Sequence, residues 1–339
     1  MGLIHSLSAR GKAFATLTAV CLLFLAAALL AGAILSSQQV TLEQGRAQKS
    51  IEARAAVWGS VQVLLTSLLQ TWNADDQSLD AWWLQHTAAF PAGSELISLS
   101  GRVNLNSMTP FLLKNSTLNV TLLGRSVEDF ITYRTNQGPF SRIGDYKDYF
   151  KPANLGALYC VHSFFNVNTA DEIMLEKVIA ARTGSPSIAS TVRARVREFR
   201  TNRQVLAQSD WDALIGGDKD AVGDLVTLNP ELDVNTVSPD VLQAILADPD
   251  FKLDQADAKA KSILASRASK PLTADILRQI LGVEKKSLLL QYLGTRTYFI
   301  QGTIPQAGTA MTFVATVAYS TDVPPKLTLR ILDTWWASS

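Results

Sequence analysis

The chain has 339 residues, 47% of them hydrophobic and 18% charged, with a formal net charge of +1. That is too apolar and too weakly charged for a mainly disordered protein, and near-neutrality excludes a globally basic nucleic-acid binder. Three histidines (His5, His86, His162) and two cysteines (Cys21, Cys160) are too scattered for a zinc or haem signature, or for disulfides to hold the fold. At ~100 to 200 residues per domain the length predicts about two compact units.

Ala13 to Leu35 carries no charged residue over 23 positions. As a helix rising ~1.5 Å per residue it reaches roughly 35 Å, enough to cross a hydrocarbon core of about 30 Å. Arg10 and Lys12 precede it and the first charge after it is Glu43, so the positive-inside bias predicts a cytoplasmic N-terminus with the bulk of the chain outside. A cleaved secretory signal competes with a retained anchor, because Ala31-Gly32-Ala33 resembles a small-residue cleavage site.

Helical periodicity continues beyond the apolar segment. Val40, Ala47, Ile51, Ala55, Trp58, Gln62, Leu65, Leu69 and Trp72 recur at steps of three, four or seven, which predicts one helix of about 60 residues with these positions as its buried stripe. Asn73 to Asp80 is a polar break, and Glu95 to Leu105 alternates as a half-buried strand. The same period returns in Tyr298 to Ile304, Met311 to Tyr319 and Leu327 to Asp333, with turn signals between them, and predicts an antiparallel meander. The fold class expected is α+β: a long N-terminal helix packed on an antiparallel sheet, with a large all-α insertion.

Three segments of the insertion align without gaps. They start at Asn104-Leu105-Asn106-Ser107, Asn166-Val167-Asn168-Thr169 and Asp233-Val234-Asn235-Thr236, at nearly equal intervals along the chain. In each copy an Asn suits a backbone-bonded turn, Thr109, Asp171 or Ser238 suits an N-cap, and Pro110, Glu172 or Pro239 suits the first helical position. Asn106, Asn168, Thr169, Asn235 and Thr236 mark this helix-start repeat, with Leu113, Leu175 and Leu242 expected on the buried face.

At these residues the chain resembles the K-type minor pseudopilins of type II (general) secretion systems. The matching pieces are Arg10-Gly11, the apolar Ala13 to Leu35, Gly101-Arg102-Val103-Asn104-Leu105-Asn106, the Asn168 and Asn235 copies, and Thr297-Tyr298-Phe299 opening the last strands. The resemblance implies a leader over 1–11 cut by a prepilin peptidase between Gly11 and Lys12, and a transmembrane segment over 12–35. It implies a pilin-like helix and first strand over 36–108, an α-domain over 109–293 and closing strands over 294–339. It implies a non-enzymatic inner-membrane protein, single-pass with its bulk in the periplasm, assembling with other minor pseudopilins and the inner-membrane secretion platform. Thr16 stands where the major subunits of that class carry Glu, as in K-type subunits, and Lys12 stands where pilin-like chains usually begin apolar.

Other constellations point elsewhere. Arg193, Arg195, Arg197, Arg200 and Arg203 fall close together, and the Asn-Val-Asn-Thr starts also resemble those of helix-hairpin-helix elements. A membrane-anchored nucleic-acid-binding protein is therefore the alternative, although no Gly-hydrophobic-Gly turn follows Asn168 or Asn235 at short range. Asp210, Asp212, Asp218, Asp220 and Asp224 lie among Gly216, Gly217 and Gly223 and form a candidate calcium site, without EF-hand spacing. No nucleophile elbow, Walker loop, zinc-protease or dinucleotide motif occurs, and Cys160 with His162 lacks a third orienting group. Trp82-Trp83 and Trp335-Trp336 are either partner anchors or core.

Overall fold

The computed structural model describes residues 36, 39, 43–44, 48–73, 77–114, 116–119, 121–202, 204–306, 309–320 and 326–338. The chain divides into two units, Met1–Gly59 and Ser60–Ser339. In the first, the described residues are helical, and Ile51, Ala55 and Trp58 are exposed. The expected leader and its Gly11-Lys12 junction, and the apolar segment 12–35, lie outside the described residues. Among those described, no helix is long and apolar enough to cross a membrane.

The second unit opens with helical residues 60–71, where Val61, Leu64 and Leu68 are buried completely. This corrects the expected stripe: Gln62 and Leu69 are exposed, so burial is centred one residue earlier, about 100° round the helix. Leu65 and Trp72, which lie on the overlap of the two arcs, are buried in either register. The helix Leu79–His86, capped by Ser78, turns back on this segment, and the Trp82 indole donates to Thr71 Oγ1 at 2.9 Å. Trp82 is fully buried and belongs to the core, while Trp83, half-buried, stacks on Phe90.

Strand β1 (Glu95–Ser98) then ends sooner than alternation predicts. The Ser100 hydroxyl accepts the backbone N–H groups of Tyr298 and Phe299 at 2.8 and 3.1 Å, and the chain turns so that Arg102 N–H reaches the Leu99 carbonyl. The expected continuous strand is thus two: β1, and β2 (Val103–Asn104), which pairs elsewhere. Alternation survives a tight turn that restores the face, so it cannot report the break.

From Val103 to Gly294 the chain forms three copies of one unit, each closed by a short parallel strand pair. β2 pairs with β3 (Tyr159–Cys160), β4 (Phe165–Asn166) with β5 (Val226–Thr227), and β6 (Leu232–Asp233) with β7 (Leu293–Gly294). The segment expected to be all-α therefore carries a short strand clasp at the ends of every copy. The first and third copies share one core, through residues such as Leu113, Phe130, Leu242 and Ile263, while the middle copy has its own around Val167, Leu175 and Val192.

The closing strands form the expected meander. β8 (Phe299–Gln306), β9 (Thr309–Tyr319) and β10 (Leu327–Ser338) join β1 in an antiparallel sheet of order β1-β8-β9-β10. β1 thus pairs with a strand near the far end of the chain, and the helical copies are inserted between them. Gly302 faces Phe313, whose ring occupies the space a side chain would need. On the face toward the copies, Phe299 and Val314 pack with Leu99, Cys160 and Phe164. The protein is α+β.

Gly101 is where sheet and repeats meet most closely. A Cβ there would lie 2.6 Å from the Thr236 carbonyl oxygen, which is backbone and cannot swing away. Gly101→Ala is expected to lower stability by about 1–3 kcal/mol, read as a lower denaturation midpoint at unchanged m-value, whereas Gly59→Ala, in a helix with open space around it, is expected to hold or raise the midpoint, by up to about 1 kcal/mol.

Candidate functional site

The helix-start motif is a repeated device, and its atoms are used the same way in each copy. The side-chain oxygen of Asn104, Asn166 or Asp233 accepts the backbone N–H two residues on, at 3.0, 2.7 and 2.9 Å. The same residue's carbonyl accepts the N–H of Met108, Ala170 or Val237. Bonds of this kind hold a short polar residue at the head of a turn, here where each short strand ends.

The second Asn does something the sequence reading did not assign. Asn106 both donates to the Phe140 carbonyl and accepts from its N–H, at 2.8 and 2.9 Å. Asn168 makes the same two-way bond with Leu206 and Asn235 with Leu272. A carboxamide carries one acceptor and one donor with peptide-like spacing, so it substitutes for a strand neighbour of a loop residue. The remaining N–H of each Asn goes to Val161 O, Gln291 Oε1 or Thr295 O.

A third element completes the turn. Arg134, in the last turn of the helix Val127–Gln137, is fully buried and donates to the carbonyls of Leu105 and Met108 at 3.2 and 2.6 Å. Arg200, in the helix Pro186–Thr201, donates to Val167 and Ala170, and Arg267, in the helix Ala256–Ser269, donates to Val234 and Val237. Sequence reasoning missed this role. The available signal was the spacing, since Arg134, Arg200 and Arg267 recur at almost the same interval as the motifs they serve.

Helix capping follows the expectation in two copies. Asp171 accepts from Ile173 and Met174 as N-cap of Glu172–Thr183, and Ser238 accepts from Val241 ahead of Pro239. In the first copy Pro110 precedes a single turn, Phe111–Lys114, and the Thr109 hydroxyl lies 3.3 Å from that of Tyr292. Leu113, Leu175 and Leu242 are all buried.

The fourth residue of the motif reaches beyond its own copy in the first and third. The Ser107 hydroxyl donates to Glu231 Oε1 at 3.4 Å, and Thr236 Oγ1 donates to Ser98 on β1 at 3.2 Å. Burial raises the Glu231 carboxyl to about 7, against the pull of the Thr169 hydroxyl and the Arg200 charge. Asp233 is likewise pushed up by burial, to about 6, although it accepts from Thr297 at 2.7 Å. Arg134 also pairs with Asp171 at 2.9 Å, joining the first copy to the second.

The arginine run divides the same way. Arg193, Arg195 and Arg197 pair with Glu176, Glu198 and Glu172, and Arg200 is the clamp already described. Arg203 lies outside the described residues. Three guanidinium groups neutralised by carboxylates and a fourth turned onto carbonyls leave little for phosphate.

The acidic residues expected at a calcium site are spread over a helix and the short turns that follow it. Asp210 accepts from the Ala207 N–H at the start of the helix Gln208–Ile215, and Asp212 holds Lys219 and Gln208 at 2.8 and 2.9 Å. Asp218 and Asp220 sit in the following short turns, and the Asp224 side chain lies outside the described residues. Among the described residues no group of three His, Cys, Asp or Glu is placed to hold a metal ion. Cys160 points its thiol at the carbonyls of Leu99, Arg102 and His162, and burial pushes it up to about 12, which favours the neutral thiol.

Comparison with protein-family models, with curated proteins and with solved structures returned no match. The arrangement itself is a rigid scaffold: each copy is tied at one turn by Asn, Arg and a strand clasp, and neighbouring copies are tied by Ser107, Asp171 and Glu231.

Two outcomes follow from the burial of these charges. Arg134→Met, which strands the Asp171 carboxylate and two carbonyls, is expected to cost about 3–5 kcal/mol in urea unfolding, against less than about 1 kcal/mol for Arg197→Ala in its exposed pair. Glu231 has a higher pKa folded than unfolded, so the folded state holds more protons between about pH 4.5 and 7 and stability falls as pH rises through that window. Glu231→Gln is expected to flatten that fall, gaining on the natural protein by at most about 1.4 kcal/mol per pH unit in thermal or urea midpoints measured from pH 5 to 8.

Proposed function

We propose that this chain is a non-enzymatic minor pseudopilin of the K type, acting at the tip of a type II secretion pseudopilus to start its assembly and limit its length. The feature that carries the reading is a split sheet. A strand laid down after the N-terminal helical region is completed only at the end of the chain, by a three-strand meander, with a self-contained helical domain inserted between them. That is the arrangement the resemblance implies, and the charge-free segment ahead of it supplies the membrane anchor. The repeated helix starts agree with it as well, since their polar atoms are consumed in holding the inserted domain together.

The tip position has a physical rationale. A carboxylate inside hydrocarbon is costly unless paired, and in pilin-like filaments a subunit further along relieves it through its N-terminal amine. A subunit at the very end has no neighbour ahead, and Thr16 removes the need for one. Prepilin peptidase, the other minor pseudopilins and the inner-membrane platform are the partners of this reading, and the periplasm holds the bulk of the chain.

Mass analysis of the membrane-extracted protein is expected to give a mature chain beginning at Lys12, and labelled protein is expected at one end of isolated filaments. A chain beginning at Ile34, or label spread along the filament, refutes the proposal.

A further inference from the structure

Between the first helical copy and the closing sheet lies a cavity of about 410 Å³, within the range of small-molecule sites. Its apolar floor includes Leu99 and Tyr159, both buried, and one wall is the indole of Trp335 on β10, lying nearly parallel to the His162 ring (17°, centroids 6.5 Å apart). Arg102 and Arg142 also line it. Neither arginine forms an ion pair among the described residues, and the attraction that Arg102 feels from Asp80 and Glu95 acts from beyond bonding distance.

A partly buried guanidinium without a carboxylate is an expensive thing to fold around, and its planar fork matches an anionic oxygen pair. The charge balance narrows the anion. Burial holds His162 below its ordinary pKa and so neutral at pH 7, while Asp333 is the one acid acting on it. Asp80, Glu95 and Asp333 do not line the cavity, so the two guanidinium groups are the charges its wall presents, and a single carboxylate can be held between them. We infer that this cavity binds a monocarboxylate carrying an aromatic ring, the ring against Trp335 and the carboxylate on Arg102 and Arg142. The inference is independent of the filament role, because every group it uses belongs to the folded unit Ser60–Ser339.

The same chemistry is offered by a free aromatic acid and by the C-terminal residue of a polypeptide. The full-length chain in phosphatidylcholine nanodiscs is titrated calorimetrically with N-acetyl-L-tryptophan, with its C-terminal amide, and with an alanine pentapeptide ending in free tryptophan. The acid is expected to bind saturably and the amide at least about tenfold more weakly, as loss of a charge-assisted bond requires. Arg102→Gln and Trp335→Ala are each expected to weaken the acid by a similar factor. Arg142→Ala, at an exposed position, is expected to do so at an unchanged melting temperature. Tighter binding of the peptide assigns the site to a chain terminus, and equal binding to a free acid. An amide as tight as the acid, unaltered binding in the correctly folded Arg142→Ala protein, or no saturable heat from either carboxylate overturns the inference.

Discussion

The second unit depends on how three tight turns dispose of their carbonyl groups. Each motif bends the chain sharply into a helix, and a bend of that kind leaves backbone acceptors aimed into the interior with no ladder to satisfy them. An arginine from a later helix in the same copy takes two of them, at Leu105 and Met108, at Val167 and Ala170, and at Val234 and Val237. Hydrogen bonds from a charged donor contribute roughly 1.5–3 kcal/mol each, against about 1 for a neutral pair, so one side chain can fix the whole turn. The cost is the burial of a cation, and it is offset differently in each copy: Asp171 faces Arg134 directly, and Glu231 and Asp233 act on Arg200 and Arg267 from a distance.

The Asn residues extend that control to the far side of each copy. By giving a loop residue both halves of a peptide partner, Asn106, Asn168 and Asn235 hold the connection after the arginine helix at a set distance from the turn. The parallel strand pairs then bring the end of each copy back to its beginning. Closure of this kind explains how so long an insertion leaves the sheet undisturbed: β1 and β8 are delivered to one another by copies whose ends are already adjacent. Ser100 and Gly101 form the junction, with one hydroxyl accepting two strand N–H groups and no side chain to push Thr236 away.

Polar groups in this interior therefore serve position more than stability. Glu231 lies where the copies converge, touching Ser107 of the first and neighbouring Thr169 and Arg200 of the second, and its raised pKa is the energetic trace of that placement. A scaffold of this type holds its surfaces in fixed positions. The edge strand β10 and the cavity beside Trp335 are where such surfaces meet solvent.

The sequence by itself determined the pieces whose causes are local. The three helix starts, the caps at Asp171 and Ser238, the burial of Leu113, Leu175 and Leu242, and the strands of the meander all follow from turn chemistry and from periods of two and 3.6, which act over short spans of chain. Long-range geometry decided the rest. Val61, Leu64 and Leu68 were buried in place of Gln62 and Leu69 because two apolar arcs overlap on that helix and only its packing chooses between them. The break after Ser98 depends on Tyr298 and Phe299, the fate of each Asn on a loop well beyond its own turn, and the bonds of Asp210 and Asp212 on the helix start and the lysine beside them. A residue's type limits the bonds it can make, but which bond it makes is settled by what the folded chain brings within hydrogen-bonding distance of it.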